Sequence, residues 1–258
     1  MESKIIAKIK KGVKFTNCYL PIPILQKKIS NNELKVIVDK SFLGLIEKSH
    51  YNFSYLYFYI EDILNFELEN IFKNSDELLI LDVIYSERKK EKWELIFQNF
   101  YKNGFKKHTS FVRMLSTHNL VKRTEYKNSQ IRMPKEHDLI LIKEFLEKYF
   151  DVFSERIPNL AELKTLLETT FLIKKGNEIA ALLISEKKGL TEELRYWIVS
   201  EKYRGKGYGS ILMRYFLNHN PDTMRFLLWV QENNFSAIKK YQYFGFEKDN
   251  LKLKILKK

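Results

Sequence analysis

Apolar residues recur along this chain in two rhythms, every second position and every third or fourth. The switches between them mark the elements. Leu34 to Val38 is apolar enough for a strand. Tyr51 to Ile60 alternates loosely, with Phe53, Tyr55, Tyr57 and Tyr59 on one side, and predicts a strand whose aromatic stripe packs in or on a sheet. Leu78 to Tyr85 reads as a further buried strand. Glu91 to Lys102 predicts a helix, with Trp93, Ile96, Phe97 and Phe100 on one face. Asn103-Gly104 ends it, and Phe105 to Leu115 predicts a returning strand. Upstream, Pro21 and Pro23 predict an extended segment within residues 1–35. Residues 116–130 are polar and mark a domain boundary, dividing the chain into 1–128 and 129–258.

The second half carries the stronger rhythm. Ile131-Arg132-Met133 predicts a strand. His137 to Tyr149 predicts a helix with Leu141, Ile142, Phe145 and Leu146 on its apolar face. Asn159 to Thr169 predicts another, with Pro158 near its start and Leu160, Leu163, Leu166 and Leu167 within it. Phe171 to Lys174 and Ile179 to Ser185 flank Gly176-Asn177 as a hairpin. Leu194 to Val199 follows as a strand. Next come a helix over 210–219 closed by Pro221, a strand from Arg225 to Val230, a helix over 235–243, and a final strand near Leu251 to Leu256.

One stretch lies between the strand ending at Val199 and the next helix: Arg204-Gly205-Lys206-Gly207-Tyr208-Gly209. Alternate glycines let backbone approach a ligand without an intervening Cβ. The loop delivers free N–H groups at a helix N-terminus, where an anion is favoured. Arg204 and Lys206 add positive charge. A phosphate or pyrophosphate is the expected ligand; an ordinary glycine-rich turn is the alternative. The Gly-Lys-Ser/Thr of a P-loop is missing, and the spacing is Gly-x-Gly-x-Gly rather than Gly-x-Gly-x-x-Gly.

The loop resembles the Arg/Gln-x-x-Gly-x-Gly/Ala pyrophosphate loop of the GNAT acetyltransferase superfamily, through Arg204, Gly207 and Gly209. Downstream, Val230, Asn234, Ala237, Tyr241, Gly245 and Phe246 match the superfamily pattern Val-x-x-x-Asn-x-x-Ala-x-x-x-Tyr-x-x-x-Gly-Phe. Both motifs stand in the family's order, and the resemblance covers about half the chain. It implies an α/β (α+β) fold: a mixed, mostly antiparallel sheet flanked by helices in residues 129–258, beside a second α/β domain in residues 1–128. In that first half, strand, helix and Gly104-Phe105 weakly echo strand, helix and Gly245-Phe246. It resembles a degenerate GNAT-like unit. The glycine loop and the asparagine have no counterpart there, so a single CoA site is expected.

The resemblance implies acetyl-CoA as cosubstrate, with a primary amine as acceptor. The N–H groups of Gly205, Lys206, Gly207, Tyr208, Gly209 and Ser210 would cradle the CoA pyrophosphate, supported by Arg204. Pantetheine would slot between the strands ending at Val199 and Val230, and N–H groups near Ile198 and Val199 would polarise the thioester carbonyl. Asn234 would bond the pantetheine arm or cap a helix. Tyr241 falls at the usual general-acid position; a core aromatic is its other reading. Glu193 is the candidate base, because its even spacing from Val199 on one strand puts both on one face. Glu192, Glu232 or a water chain are the competitors.

Composition narrows the alternatives. The chain has 258 residues, 45% apolar and 30% charged, as expected for a folded protein. The five histidines show no metal-ligand spacing, so no metal is expected. No apolar run reaches membrane-spanning length, the opening residues lack a signal-peptide core, and the single Cys18 suits a reducing cytoplasm. Net charge is +13, divided evenly between the two halves without a basic arm, which suits a solvated surface better than a nucleic-acid partner. The reading is a cytoplasmic N-acetyltransferase. A CoA-binding sensor without catalysis, or a ribosome- or RNA-associated modifier, are the alternatives.

Overall fold

The structure is a computed structural model. It describes residues 5–7, 9, 15–39, 41–66, 68, 72, 77–117 and 129–258. The chain forms two compact units, Met1–Ser110 with Asn250–Lys258, and Phe111–Asp249.

In the first unit, strands β1 (Phe15–Thr16), β2 (Leu34–Val38), β3 (Phe42–Lys48), β4 (Ser54–Ile60) and β5 (Leu79–Ser86) are interrupted by helix α1 (Ile22–Ser30) and followed by α2 (Lys90–Lys102). β2, β3 and β4 pair antiparallel, β1 pairs antiparallel with β4, and β4 meets β5 in parallel at Ser54↔Leu79 and Tyr55↔Ile80. Alternation then sorts side chains to two faces. Phe42, Ile46, Leu56, Phe58, Leu81 and Val83 pack with Trp93, Ile96, Phe97 and Phe100 of α2. Leu43, Leu45, Tyr57 and Tyr59 pack with Leu25 of α1. Each such apolar side chain contributes about 1.5–3 kcal/mol by leaving water.

Two local expectations change here. Residues around Pro21 and Pro23 are helical rather than extended. Pro21 occupies the N-cap, with φ −57° and ψ 142°, and Pro23 lies in the first turn, where a missing N–H costs nothing. The carbonyl of Pro21 accepts from both Ile24 and Leu25 at 3.0 Å. β3 was not foreseen, because Phe42-Leu43-Gly44-Leu45-Ile46 is apolar throughout: it is buried on both faces and shows no alternation.

In the second unit, strand β6 (Lys106–Thr117) contributes its part from Phe111. It pairs antiparallel with β10 (Arg225–Gln231), which runs parallel to β9 (Thr191–Val199). β9 pairs antiparallel with β8 (Glu178–Lys188), and β8 with β7 (Thr170–Lys175). Helices α3 (Leu139–Tyr149) and α4 (Leu160–Thr165) cover one face through Ile142, Leu146 and Leu163. Helices α5 (Tyr208–His219) and α6 (Phe235–Tyr243) cover the other through Leu212, Phe216, Ile238 and Tyr241. The strand expected at Ile131–Met133 is a single bridge, Arg132↔Leu172. The helix expected over 159–169 stops at Thr165; a 3-10 turn, Leu167–Thr169, follows.

The units do not divide at 128/129. Residues 111–117 belong to the second unit because Phe111 to Thr117 pair with Gln231 to Arg225. In return β11 (Glu247–Lys257) sends Leu251 to Lys257 to pair with Ser86 to Ile80 of β5. Residues 118–128 of the expected boundary lie outside the described residues.

Candidate functional site

The site begins with a parting of strands. β9 and β10 pair from Thr191↔Arg225 to Leu194↔Leu228, and their pairing goes no further although both strands continue. On the other side of β9, Leu194 faces Ser185 and Tyr196 faces Ile184, so Arg195 is one residue too many for β8. Such a bulge bends the strand and increases its twist. It also resets the alternation. Leu194, Trp197 and Val199 face the α5/α6 core, whereas Tyr196 and Ile198 face α3 and α4.

A cleft of about 980 Å³ occupies the gap. At its mouth, Gly207 has φ +78° and caps α5 without a side chain, leaving the first N–H groups of the helix uncapped. Gly209 approaches the strand closely: a Cβ there would stand 3.2 Å from both Trp197 and Val199. Trp197 Nε1 donates to the Gly209 carbonyl at 3.1 Å, fixing helix to strand. Arg204 Nε donates to the Val199 carbonyl at 3.4 Å. Lys239 and Lys240 also line the cleft, so its mouth is basic.

Of the residues singled out in the sequence, Ile198, Val199, Arg204, Gly205, Gly207, Tyr208, Gly209, Ser210, Asn234 and Tyr241 line this cleft. Lys206 does not; its ammonium lies 5.2 Å from the Tyr203 ring centre. Asn234 Oδ1 accepts the Ala237 N–H at 3.1 Å, so it is an N-cap whatever else it does. Tyr241 is nearly buried, with its ring 5.3 Å from Trp197. Burial, reinforced by the Glu155 charge, raises its hydroxyl pKa and keeps it protonated.

Glu193 is not brought to the cleft. Its expected place beside Val199 assumed strict alternation, and the extra residue at Arg195 reverses the face between them. Burial raises the Glu193 pKa, opposed by Arg195 and Lys188. Glu192 is fully buried and committed: it accepts from Ser185 Oγ at 2.7 Å and Thr223 Oγ1 at 3.0 Å. Glu232 does not line the cleft.

A carboxylate that sequence reasoning missed does line it: Glu155, in the turn between α3 and α4, with Asp151 beside it. Burial and the Asp151 charge, opposed by Arg195, push the Glu155 pKa up to about 7. No motif marks this residue. The only sequence signal is the spacing of Asp151 and Glu155, one helical turn apart between two predicted helices.

Residues 134–246 match the family model described as the acetyltransferase (GNAT) family. No curated protein matches the chain. Among solved structures, a GCN5-related N-acetyltransferase from Sphaerobacter thermophilus is similar with a TM-score of 0.60 at 11% identity, over 93% of this chain and 86% of that one. A GCN5-related N-acetyltransferase from Kribbella flavida gives 0.56 at 12% identity, over 91% and 94%. A tandem GNAT protein from the clavulanic acid biosynthesis pathway gives 0.59 at 8% identity, over 100% of this chain and 93% of that one. At such identities the likeness is one of fold, and it extends over both units. The parted strands, the glycine-capped helix and the sequence match agree: residues 134–246 are a domain of the GNAT acetyltransferase family.

Proposed function

We propose that this protein transfers acetyl from acetyl-CoA to a primary amine. The observation that carries the reading is the gap between β9 and β10, with an uncapped helix N-terminus at its mouth and the buried Tyr241 in its wall. The N–H groups of Gly205 and of residues 207–210 hold the pyrophosphate, and Arg204 adds charge. The free edge of β9 at Ile198 and Val199 offers backbone partners to pantetheine, as a sheet edge does to an added strand. Asn234, while capping α6, keeps an amide N–H₂ for the same arm. Tyr241 supplies the proton that the departing sulfur needs, because a tyrosine with a raised pKa remains a proton donor at neutral pH.

The sequence of residues 1–110 contains no Arg-x-x-Gly-x-Gly run, so one CoA per chain is expected. Calorimetry with CoA tests the stoichiometry. Thioester turnover with a panel of primary amines, followed by mass spectrometry of the products, tests the reaction. Two CoA per chain, or no acetylated amine across the panel, would sink the corresponding part of the reading.

A further inference from the structure

We infer that Glu155 is the general base that deprotonates the acceptor amine, and that Tyr196 positions it; both roles rest on the acetyl-transfer reading above. The loop after α3 folds back as a single turn. Glu155 N–H donates to the Asp151 carbonyl at 3.0 Å. The Asp151 carboxylate is used within that turn, accepting from the Phe153 N–H at 3.3 Å and from Ser154 Oγ at 2.8 Å. Glu155 is left as the carboxylate free to act on a ligand in the cleft. Tyr196, almost fully buried, places its hydroxyl 2.8 Å from the Glu155 carbonyl and 2.9 Å from the Arg156 carbonyl. Arg156 is held at φ +43°, an unfavourable conformation for a side-chain-bearing residue. Strain of this kind persists only where the surroundings over-determine it, and it gathers at working sites.

Besides the Tyr196 hydroxyl at its carbonyl, three charged or titratable groups act on Glu155 or feel its charge. Asp151 lies in its own turn, Arg195 on β9 and Tyr241 on α6. Arg195, the bulge residue of β9, lines the same cleft, and its Nη1 donates to Glu186 Oε2 at 2.9 Å. Glu155 and Tyr241 line one cleft, close enough for the carboxylate charge to raise the hydroxyl pKa. A base and an acid thus address opposite ends of one transfer.

The protons balance. Glu155 takes one proton from the acceptor ammonium, freeing the nitrogen lone pair. Nitrogen then forms a bond to the acetyl carbonyl carbon, and the carbon–sulfur bond breaks. Tyr241 gives its proton to the sulfur and is restored by the second proton of the nitrogen. Glu155 releases its proton to water. One ammonium and one thioester give one amide, one thiol and one proton. A base with a pKa of about 7 is matched to this work at neutral pH.

The test uses the full chain, acetyl-CoA, and the best acceptor among spermidine, lysine, glucosamine and tyramine. Glu155→Gln, which keeps size and shape, is expected to lower kcat by about 10²–10⁴ with CoA affinity unchanged. It should also abolish the acidic limb of kcat/KM, which in the wild type has its midpoint near pH 7. Glu155→Asp should restore part of the rate. Tyr196→Phe should lower kcat more than it changes KM for CoA, and should displace the limb toward ordinary carboxylate values. Infrared difference spectra of 13C-glutamate-labelled protein give a readout free of turnover: a carboxyl titrating near pH 7, absent in Glu155→Gln. If the wild type acetylates an amine and Glu155→Gln keeps both its rate and its acidic limb, the base assignment is overturned and the acetyl-transfer reading stands. If the wild type neither binds CoA nor acetylates an amine, both fall together.

Discussion

Gly207 and Gly209 stand two residues apart and are required for different reasons. Gly207 leaves the helix N-terminus bare toward the cleft at φ +78°. Gly207→Glu places bulk and negative charge where phosphate is expected, and should weaken CoA binding by at least about tenfold, or 1.4 kcal/mol, measurable by calorimetry. At Gly209 the constraint is steric. Gly209→Ala sets a methyl group 3.2 Å from Trp197 and Val199 and should cost about 1–3 kcal/mol in a denaturant melt. Both glycines were legible because they belong to a motif with fixed spacing. Glu155 was not, because it acts through a turn that no pattern announces. Glu155 also makes stability depend on pH. The folded-state pKa is raised from 4.5 to about 7, so the carboxyl is more protonated folded than unfolded in between, and stability falls as pH rises through that window. Glu155→Gln escapes this loss. In a partly open cleft, where solvent screens the charge, it should be more stable than wild type at pH 8 by about 1–2 kcal/mol, by thermal melts at two pH values.

At the scale of an element, β9 explains one success and one error of sequence reasoning. Its apolar residues and the loop that follows were plain. Its bulge was not, since Leu194-Arg195-Tyr196-Trp197 reads equally well as uninterrupted alternation. Only the pairing of β8 shows that Arg195 has no partner of its own, and that discovery moves Glu193 away from Val199. Deleting Arg195 should restore regular alternation and favour continued β9–β10 pairing past Leu194. The expected result is a folded protein by circular dichroism that no longer binds CoA. Retained affinity would show that the bulge does not hold the strands apart. Elsewhere, α1 is hidden in the sequence because Pro21 and Pro23 read as extended signals, whereas one is the N-cap and the other lies in the first turn.

For the whole molecule, the legible feature was two halves, and the hidden one was their exchange of strands. Polarity at 116–130 suggested a boundary, but polarity does not reveal which sheet the preceding strand joins. Residues 111–117 complete the second unit, and Leu251 to Lys257 extend the first. A fragment of residues 129–258 loses β6 and bares β10, whose Phe226, Leu228 and Val230 are buried in the intact chain. It should aggregate by size-exclusion chromatography where the full chain does not, as an exposed apolar edge strand predicts.

The route of β11 also sets an order of events during synthesis. Domains generally fold from the N-terminus onward as the ribosome delivers them. Here the partner of β5 emerges only after residues 111–249 have all been made. The first unit must wait with an open sheet edge while the second is translated. The domain that begins first is therefore the one that finishes last.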